Sequence, residues 1–149
     1  MEIERKFLVD TPPDGYESCP FHEIEQAYLC TDPVVRIRKE DESFYLTYKS
    51  KGLMAREEYN LPLTKESYSH LLKKADGNIL TKRRYLLPLL GDSTLTVELD
   101  IFDGKFKGLI LAEVEFPTTE AANEFTPPPW FGKDVTLSGE YQNSRLSGL

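Results

Sequence analysis

Charged side chains occupy alternate positions in seven short segments of this sequence, and the positions between them are mainly apolar. Successive side chains of a β-strand point to opposite faces, so this period of two predicts strands with one charged and one apolar face. In the first segment Glu2, Glu4 and Lys6 share one face, while Ile3 and Phe7 share the other. The charged faces are Glu2, Glu4 and Lys6; Arg36 and Arg38; Lys49; Arg56 and Glu58; Lys82 and Arg84; Glu98 and Asp100; and Glu113 and Glu115.

Glycine, proline, aspartate and asparagine divide the chain into eight predicted strands. Their ranges are 1–9, 22–30, 34–40, 43–50, 55–61, 78–88, 93–102 and 108–117. Short turns such as Asp103-Gly104 favour antiparallel pairing, and eight antiparallel strands can close into a barrel without free edges. We therefore expect an all-β dominated (α+β) fold, in which an eight-stranded antiparallel barrel with a few flanking helices forms a single domain over residues 1–149.

Three helices are expected outside the strands. Thr64 can cap a helix over residues 64–75, and Asp76-Gly77 is expected to end it. A short helix is expected from Glu120 to Phe125, where no helix breaker occurs, and another around residues 140–146 of the tail.

The composition restricts the partners and the compartment. The chain has 18 Lys or Arg and 25 Asp or Glu, a net charge of −7 that disfavours a general nucleic-acid binder.

No apolar run reaches the roughly 18 residues of a membrane span, and the charged start shows no cleavable signal, so we expect a cytoplasmic protein. Cys19 and Cys30, with only His22 and His70, are too few for a thiolate zinc site. They indicate free thiols, with a single disulfide left open.

The charged faces could be solvated, as on any antiparallel sheet, or could converge on the barrel interior. Same-face neighbours such as Arg36/Arg38 and Glu98/Asp100 repel each other, and a solvated face would more often mix signs. Divalent cations stabilise clustered carboxylates, and phosphate oxygens stabilise clustered Arg and Lys. The pattern therefore favours a charged lumen that binds a triphosphate with one or two Mg²⁺ or Mn²⁺ ions. Helices, or a homodimer contact, would cover the apolar outer faces.

The same residues carry a family resemblance. The opening Glu2-x-Glu4-x-Lys6 resembles the ExExK signature of the CYTH superfamily, the triphosphate tunnel metalloenzymes. The other matching segments follow in the family's order: Arg36-Ile-Arg38, Thr47-Tyr-Lys49, Arg56-Glu-Glu58, Lys82-Arg-Arg84-Tyr85, Glu98-Leu-Asp100 and Glu113-Val-Glu115. The resemblance implies an eight-stranded tunnel that binds triphosphates with a divalent metal. Members of the family include inorganic, thiamine and RNA triphosphatases and class IV adenylyl cyclases.

The resemblance also implies roles for individual residues. Metal binding falls to Glu2, Glu4, Glu58, Glu98, Asp100, Glu113 and Glu115. Phosphate binding falls to Lys6, Arg36, Arg38, Lys49, Arg56, Lys82 and Arg84, with Lys133 as a further candidate. Catalysis falls to Glu2, Glu4, Lys6 and Tyr28; Tyr28 could equally be an aromatic packed in the wall.

Two further features of the sequence bear on the resemblance. Asn60 stands where the family often has an acid. The tail, from Pro129 to Ser144, resembles a C-terminal plug and lid, although Glu140 stands where a basic residue is usual.

The expected activity is divalent-metal-dependent hydrolysis of a triphosphate, with inorganic tripolyphosphate as the preferred substrate and pyrophosphate and phosphate as products. Adenylyl cyclase and thiamine triphosphatase are the alternatives within the fold, and a non-catalytic polyphosphate-binding module is the alternative outside enzymes. The sequence does not decide whether Lys6 or a carboxylate of the first strand activates the water.

Overall fold

Antiparallel strands form most of the regular structure in the computed structural model, which describes residues 1–149. The nine strands are β1 (Glu2–Leu8), β2 (Phe21–Thr31), β3 (Val34–Glu40), β4 (Ser43–Lys49), β5 (Ala55–Arg56), β6 (Glu58–Pro62), β7 (Asp76–Leu89), β8 (Asp92–Phe102) and β9 (Ile110–Glu115). The helices are α1 (Lys65–Leu72), α2 (Thr119–Glu124) and α3 (Asn143–Ser147), with single 3₁₀ turns at Tyr16–Ser18 and Gly104–Phe106. The structure thus confirms the strand-dominated fold.

The strands form one sheet in the order β5-β1-β9-β8-β7-β2-β3-β4-β6. Its two end strands, β5 and β6, are separated in the chain by Glu57 alone. β5 pairs with β1 through Glu2 and Arg56, and β6 pairs with β4 through Lys49 and Glu58. The sheet therefore closes on itself as the expected eight-stranded barrel, except that the predicted strand 55–61 is interrupted at Glu57.

The tail completes the edge of β1 that β5 leaves unpaired. The Leu8 N–H donates to the Lys133 carbonyl at 2.8 Å, and the Val135 N–H donates to the Lys6 carbonyl at 2.9 Å. These bonds hold the extended segment 132–136 against β1, and from there the chain runs on to α3.

Strand register brings the predicted charged faces together. Directly opposed residues of antiparallel strands point to the same side of the sheet. Glu4 opposes Glu115, and Glu113 opposes both Lys6 and Glu98. The charges of β1, β9 and β8 therefore share the inner face of the barrel.

One end of the inner face is apolar rather than charged. Leu80, Phe102 and Leu111 lie two positions from Lys82, Asp100 and Glu113 on the same faces of their strands. These three apolar side chains are buried in a cluster with Val135 and Leu146 of the tail. The tail therefore fills this end of the barrel, in keeping with the plug expected at the C-terminus.

The outer faces are covered by the remaining segments. The largest cluster contains Phe7, Leu99 and Val114 of the wall and Phe131 of the tail. A smaller cluster packs α1 onto β2 and β3 through Tyr68, Ala27 and Ile37. Cys19 and Cys30 are free thiols. None of the helices has the length and hydrophobicity needed to span a bilayer.

Two helix boundaries differ from the predictions. Thr64 caps α1 as expected, in a capping box with Ser67, but the helix ends at Leu72. Asp76 and Gly77 begin β7 instead of ending the helix, because Asp76 pairs with Tyr28 of β2. The tail helix begins at Asn143 rather than near residue 140, after a run of turns.

The packing of α3 against β7 requires glycine at position 77. Its φ is +70°, and a Cβ at this position would lie 2.1 Å from the Ser147 carbonyl oxygen. Only glycine tolerates both the left-handed backbone and this close approach.

We expect Leu99→Ala to lower the free energy of unfolding by about 3 kcal/mol, because the change leaves a cavity in the largest cluster. Leu99 is 0% exposed there. The matched control is Leu90→Ala in the β7–β8 turn, where the side chain is 94% exposed. Urea unfolding of both variants measures the difference, and equal losses would contradict the assignment of the core.

Candidate active site

The lumen contains a cavity of about 370 Å³ with a mainly polar lining. Most of the predicted site residues meet there. Those that line the cavity are Glu2, Glu4, Lys6, Tyr28, Arg36, Arg38, Lys49, Arg56, Glu58, Arg84, Glu98, Glu113 and Glu115. Residues from all nine strands thus converge on one space because alternate positions of each strand face inward.

The carboxylates are concentrated on three adjacent strands, β1, β9 and β8. Glu4 and Glu115 oppose each other in register, and neither has a basic partner within 4.0 Å. Burial, followed by the charges of Glu113 and Glu2, raises the pKa of Glu4 to about 8. Burial and neighbouring carboxylates also raise the pKa of Glu115. This wall therefore holds two carboxyl groups without a basic partner, and their surroundings favour the protonated form in the absence of a cation.

The arginines of β3 show the opposite imbalance. Arg36 donates to the Thr47 hydroxyl at 3.1 Å, and its buried Nε has no hydrogen-bond partner. Arg38 donates from Nε to the Gln26 Oε1 at 2.9 Å and reaches a carboxylate, that of Glu40, only at 3.6 Å. Burial, followed by the charge of Arg38, lowers the pKa of Arg36. A buried guanidinium without a counter-charge is a site for an anion.

The other cations of the lining are paired with carboxylates. Lys6 lies 3.3 Å from Glu113, and Lys49 lies 3.0 Å from Glu2. Burial alone would lower the pKa of Lys6, but the charges of Glu113 and Glu4 outweigh it and raise the pKa. These pairs fix the positions of both amines in the lining.

Three predicted residues lie outside the cavity lining. Lys82 and Asp100 form an ion pair of 2.8 Å, with both side chains fully buried behind the lining. Asp100 also accepts from Arg84 at 2.8 Å, so it supports two cations and does not face the cavity. Burial, opposed by Asp100, lowers the pKa of Lys82 to about 7. Lys133 is exposed in the tail segment beside β1, so the structure does not bring it to this site.

Tyr28 lies in the wall of the barrel and also lines the cavity. It is buried, it belongs to the apolar cluster at the end of the lumen, and it also lines the cavity. Its hydroxyl accepts from Gln26 Nε2 at 3.4 Å. The ring is therefore part of the wall, and the hydroxyl remains close to the charged space.

Sequence reasoning missed the neutral partners of these charges. Gln26 and Thr47 are fully buried and hold the β3 arginines. Both follow the period of two, so they could have been found beside Tyr28 and Lys49. Asn143 begins α3 and lines the cavity, but no strand pattern signals it. Asn60 accepts from Thr47 at 2.5 Å and donates to Glu58 at 3.3 Å, so it connects these groups where an acid was expected.

The donor set fits a hard divalent cation bound together with phosphate. No three carboxylate, histidine or cysteine side chains lie close enough together to hold a metal ion unaided. Mg²⁺ is usually held by one or two carboxylates, with water and substrate phosphates as the remaining ligands. The unbalanced carboxylates of Glu4 and Glu115 offer oxygen ligands of this kind, opposite arginines that can hold the phosphates.

Comparison with known proteins identifies similar chains. A family model described as the CYTH domain matches residues 1–147. A relative named inorganic triphosphatase from Nitrosomonas europaea is 40% identical over 150 residues, covering 98% of this chain and 96% of the relative. Another of that name, from Acetivibrio thermocellus, is 35% identical over 153 residues, covering 97% and 92%. A crystal structure of an inorganic triphosphatase has a TM-score of 0.73 at 37% identity and covers 99% of this chain and 94% of that one.

The raised pKa of Glu4 predicts a pH-dependent stability of the metal-free protein. The folded state binds a proton more tightly than the unfolded state, whose pKa is near 4.5, so wild-type stability falls as the pH rises from about 4.5 to about 8. Glu4→Gln removes this loss, so the variant should gain stability relative to wild type across that window. Denaturant unfolding in EDTA measures it.

The control for this experiment is Glu120→Gln, which removes an exposed carboxylate of α2. It should follow the wild-type profile. A Glu4→Gln profile parallel to that of the wild type would contradict the crowded environment assigned to Glu4.

Proposed function

This chain belongs to the CYTH family, and we propose that it is an inorganic triphosphatase, which hydrolyses tripolyphosphate to pyrophosphate and phosphate. Two relatives that align over almost its full length carry the name inorganic triphosphatase. The observation that carries the proposal is the opposition of charge across the cavity: Arg36, which has no carboxylate partner, and Arg38, whose nearest carboxylate lies at 3.6 Å, face carboxylates of β1 and β9 that have no basic partner. A metal-bound polyanion satisfies both walls at once.

In this proposal the cations of the lining bind the phosphates. Arg36 provides a charge without a carboxylate partner and a buried Nε donor without a hydrogen-bond partner, and Arg38 reaches its nearest carboxylate only at 3.6 Å. Arg84 is held by Asp100 and Glu98 and supplies a further fixed positive group. Lys6, Lys49 and Arg56 complete the set. Phosphoryl transfer depends mainly on such positioning and on electrostatic stabilisation of the transferring group.

Members of this family depend on a divalent metal, and we infer that Mg²⁺ or Mn²⁺ serves this protein. Glu4 and Glu115 would hold it, supported by Glu2, Glu98 and Glu113. When bound, a divalent ion neutralises phosphate charge and lowers the pKa of coordinated water. Glu58 accepts from Lys49, so we assign it to orienting that lysine.

Activation of the attacking water falls to Glu4 in this proposal. Its carboxyl group faces the cavity without a cationic partner, and its raised pKa of about 8 makes the ionised form a stronger base toward water than an ordinary glutamate. Lys6 is protonated, lies 3.3 Å from Glu113 and donates to the Tyr141 carbonyl at 3.2 Å. A protonated amine in these contacts suits phosphate binding rather than proton abstraction.

We also infer that residues 1–149 act as one domain in the cytoplasm, since all nine strands belong to one sheet and both cysteines are free thiols. A homodimer contact would cover Tyr59 and Leu61 of β6, whose side chains are exposed on the outer face. Analytical ultracentrifugation tests the oligomeric state.

The primary experiment measures phosphate release from tripolyphosphate with Mg²⁺ or Mn²⁺. Glu4→Ala should lower kcat by at least about 100-fold, because it removes a metal ligand and the proton acceptor, while urea unfolding shows an intact fold. Glu120→Ala, an exposed glutamate of α2, is the matched control and should retain full turnover. The proposal fails if wild-type protein releases no phosphate from tripolyphosphate, ATP or thiamine triphosphate. Cyclic AMP formed from ATP would favour a cyclase instead.

Substitution of one β3 arginine tests the phosphate-binding wall. Arg36→Ala should lower kcat/KM by about 10- to 100-fold, since it removes charge-assisted hydrogen bonds to the substrate. Lys39→Ala on the same strand is the control: Lys39 is exposed and points outward, so kcat/KM should change by less than about twofold. Steady-state kinetics compares the two, and equal effects would count against a binding role for the inner face.

A further inference from the structure

A chain of neutral amides connects two buried cations with the C-terminal helix. Arg38 donates from Nε to Gln26 Oε1 at 2.9 Å. Gln26 Nε2 donates to Asn143 Oδ1 at 3.1 Å, and Lys82 Nζ donates to the same oxygen at 3.1 Å. The two amides therefore join a cation of β3 to a cation of β7 through the first residue of α3.

The chemistry of the partners fixes the orientation of both amides. Arginine and lysine only donate hydrogen bonds, so each must face an amide oxygen. Gln26 must therefore present its oxygen to Arg38, which leaves its NH₂ group for Asn143. Asn143 must present its oxygen to Lys82, and that oxygen also accepts from Gln26. Neither amide can rotate by 180° without losing the bond to its cation.

The close partner of Arg38 is neutral, and its nearest carboxylate, Glu40, lies at 3.6 Å, whereas Lys82 is also paired with Asp100 at 2.8 Å. Arg84 and Lys49 are held by carboxylates, which cancel much of their charge toward a ligand. Gln26 holds Arg38 at a similar distance without adding a negative charge. Since Gln26 is 0% exposed, a carboxylate there would act on Arg38 with little screening by water.

The same chain of bonds ties the position of α3 to the cavity. Asn143 and Ser144 of α3 line the cavity, while Leu146 anchors the helix in the apolar cluster at the closed end. The backbone of α3 also lies against Gly77 of β7. An anion bound to Arg38 is therefore connected to Asn143 of this helix by the two hydrogen bonds of Gln26.

We propose that Gln26 and Asn143 are positioning residues, which orient Arg38 and Lys82 by neutral hydrogen bonds and so keep the charge of Arg38 available to a phosphate group. The proposal rests on the proposed function, since it concerns the same phosphate site. The amide chain also makes docking of α3 and binding of the polyanion mutually reinforcing.

The test introduces charge with almost no change of shape. Gln26→Glu and Asn143→Asp each replace an amide by a carboxylate, and Asn123→Asp makes the same change at an exposed position of α2 as the matched control. Isothermal titration with tripolyphosphate in EDTA measures binding without turnover. We expect about tenfold weaker binding for both site variants, a similar rise in KM with a smaller change in kcat, and no effect of Asn123→Asp.

Thermal unfolding separates positioning from a merely structural role. A carboxylate at position 143 still accepts from Gln26 and pairs with Lys82, so Asn143→Asp should bind tripolyphosphate weakly without a lower melting temperature. A glutamate at position 26 pairs with Arg38 but cannot donate to Asn143, so the affinity of Gln26→Glu is read against its own melting temperature. Binding as tight as wild type in both variants would overturn the proposal. A loss of affinity that merely follows a loss of thermal stability would also overturn it.

Hydrogen exchange tests the link to the helix. Tripolyphosphate in EDTA should slow amide exchange in α3 of the wild type, and Asn143→Ala should abolish that protection. Unchanged protection in the variant would overturn the coupling. Both readouts are independent of hydrolysis, so a wild-type protein that binds tripolyphosphate but releases no phosphate would refute the proposed function and leave this inference standing.

Discussion

Charge removed from water must meet opposite charge, and the barrel wall is arranged around that requirement. Alternate residues of the strands direct acids and bases into one enclosed space, where some pair with one another and others do not. The groups without an oppositely charged partner lie on opposite walls: Arg36 on β3, and Glu4 and Glu115 on β1 and β9. A ligand that carries both phosphate oxygens and a cation would therefore suit both walls.

The lining uses two kinds of support for its cations. Arg84 and Lys49 rest against carboxylates, which fix their position and reduce their net field. Arg36 and Arg38 are held most closely by a hydroxyl and an amide, which fix their position without cancelling their charge, and the nearest carboxylate to Arg38 lies at 3.6 Å. The first kind gives rigidity and the second gives attraction for an anion. The site needs both, because binding a flexible polyanion in one geometry requires fixed groups with net charge.

The sequence predicts the barrel and most of the lining because a single rule, the period of two, governs both. The rule does not predict which inward side chains line the cavity, because that depends on how they pack against one another. Lys82 and Asp100 point inward but pair with each other behind the lining. The period of two also does not apply to the tail, so the sequence does not predict that Asn143 lines the cavity. Helix ends depend on competition with strand pairing, and the pairing of Asp76 with Tyr28 ended α1 earlier than its own residues indicate.

The apolar packing of Leu80, Phe102 and Leu111 against the tail makes the cavity a blind-ended pocket. Reactant and products must therefore share one opening, and a longer phosphate chain can extend only outward through it. Arg36 lies two residues from Val34 on the same inward face of β3, and Val34 belongs to the apolar cluster at the closed end. A phosphate group held against Arg36 would therefore lie at the deep end of the pocket, with the rest of its chain directed toward the opening.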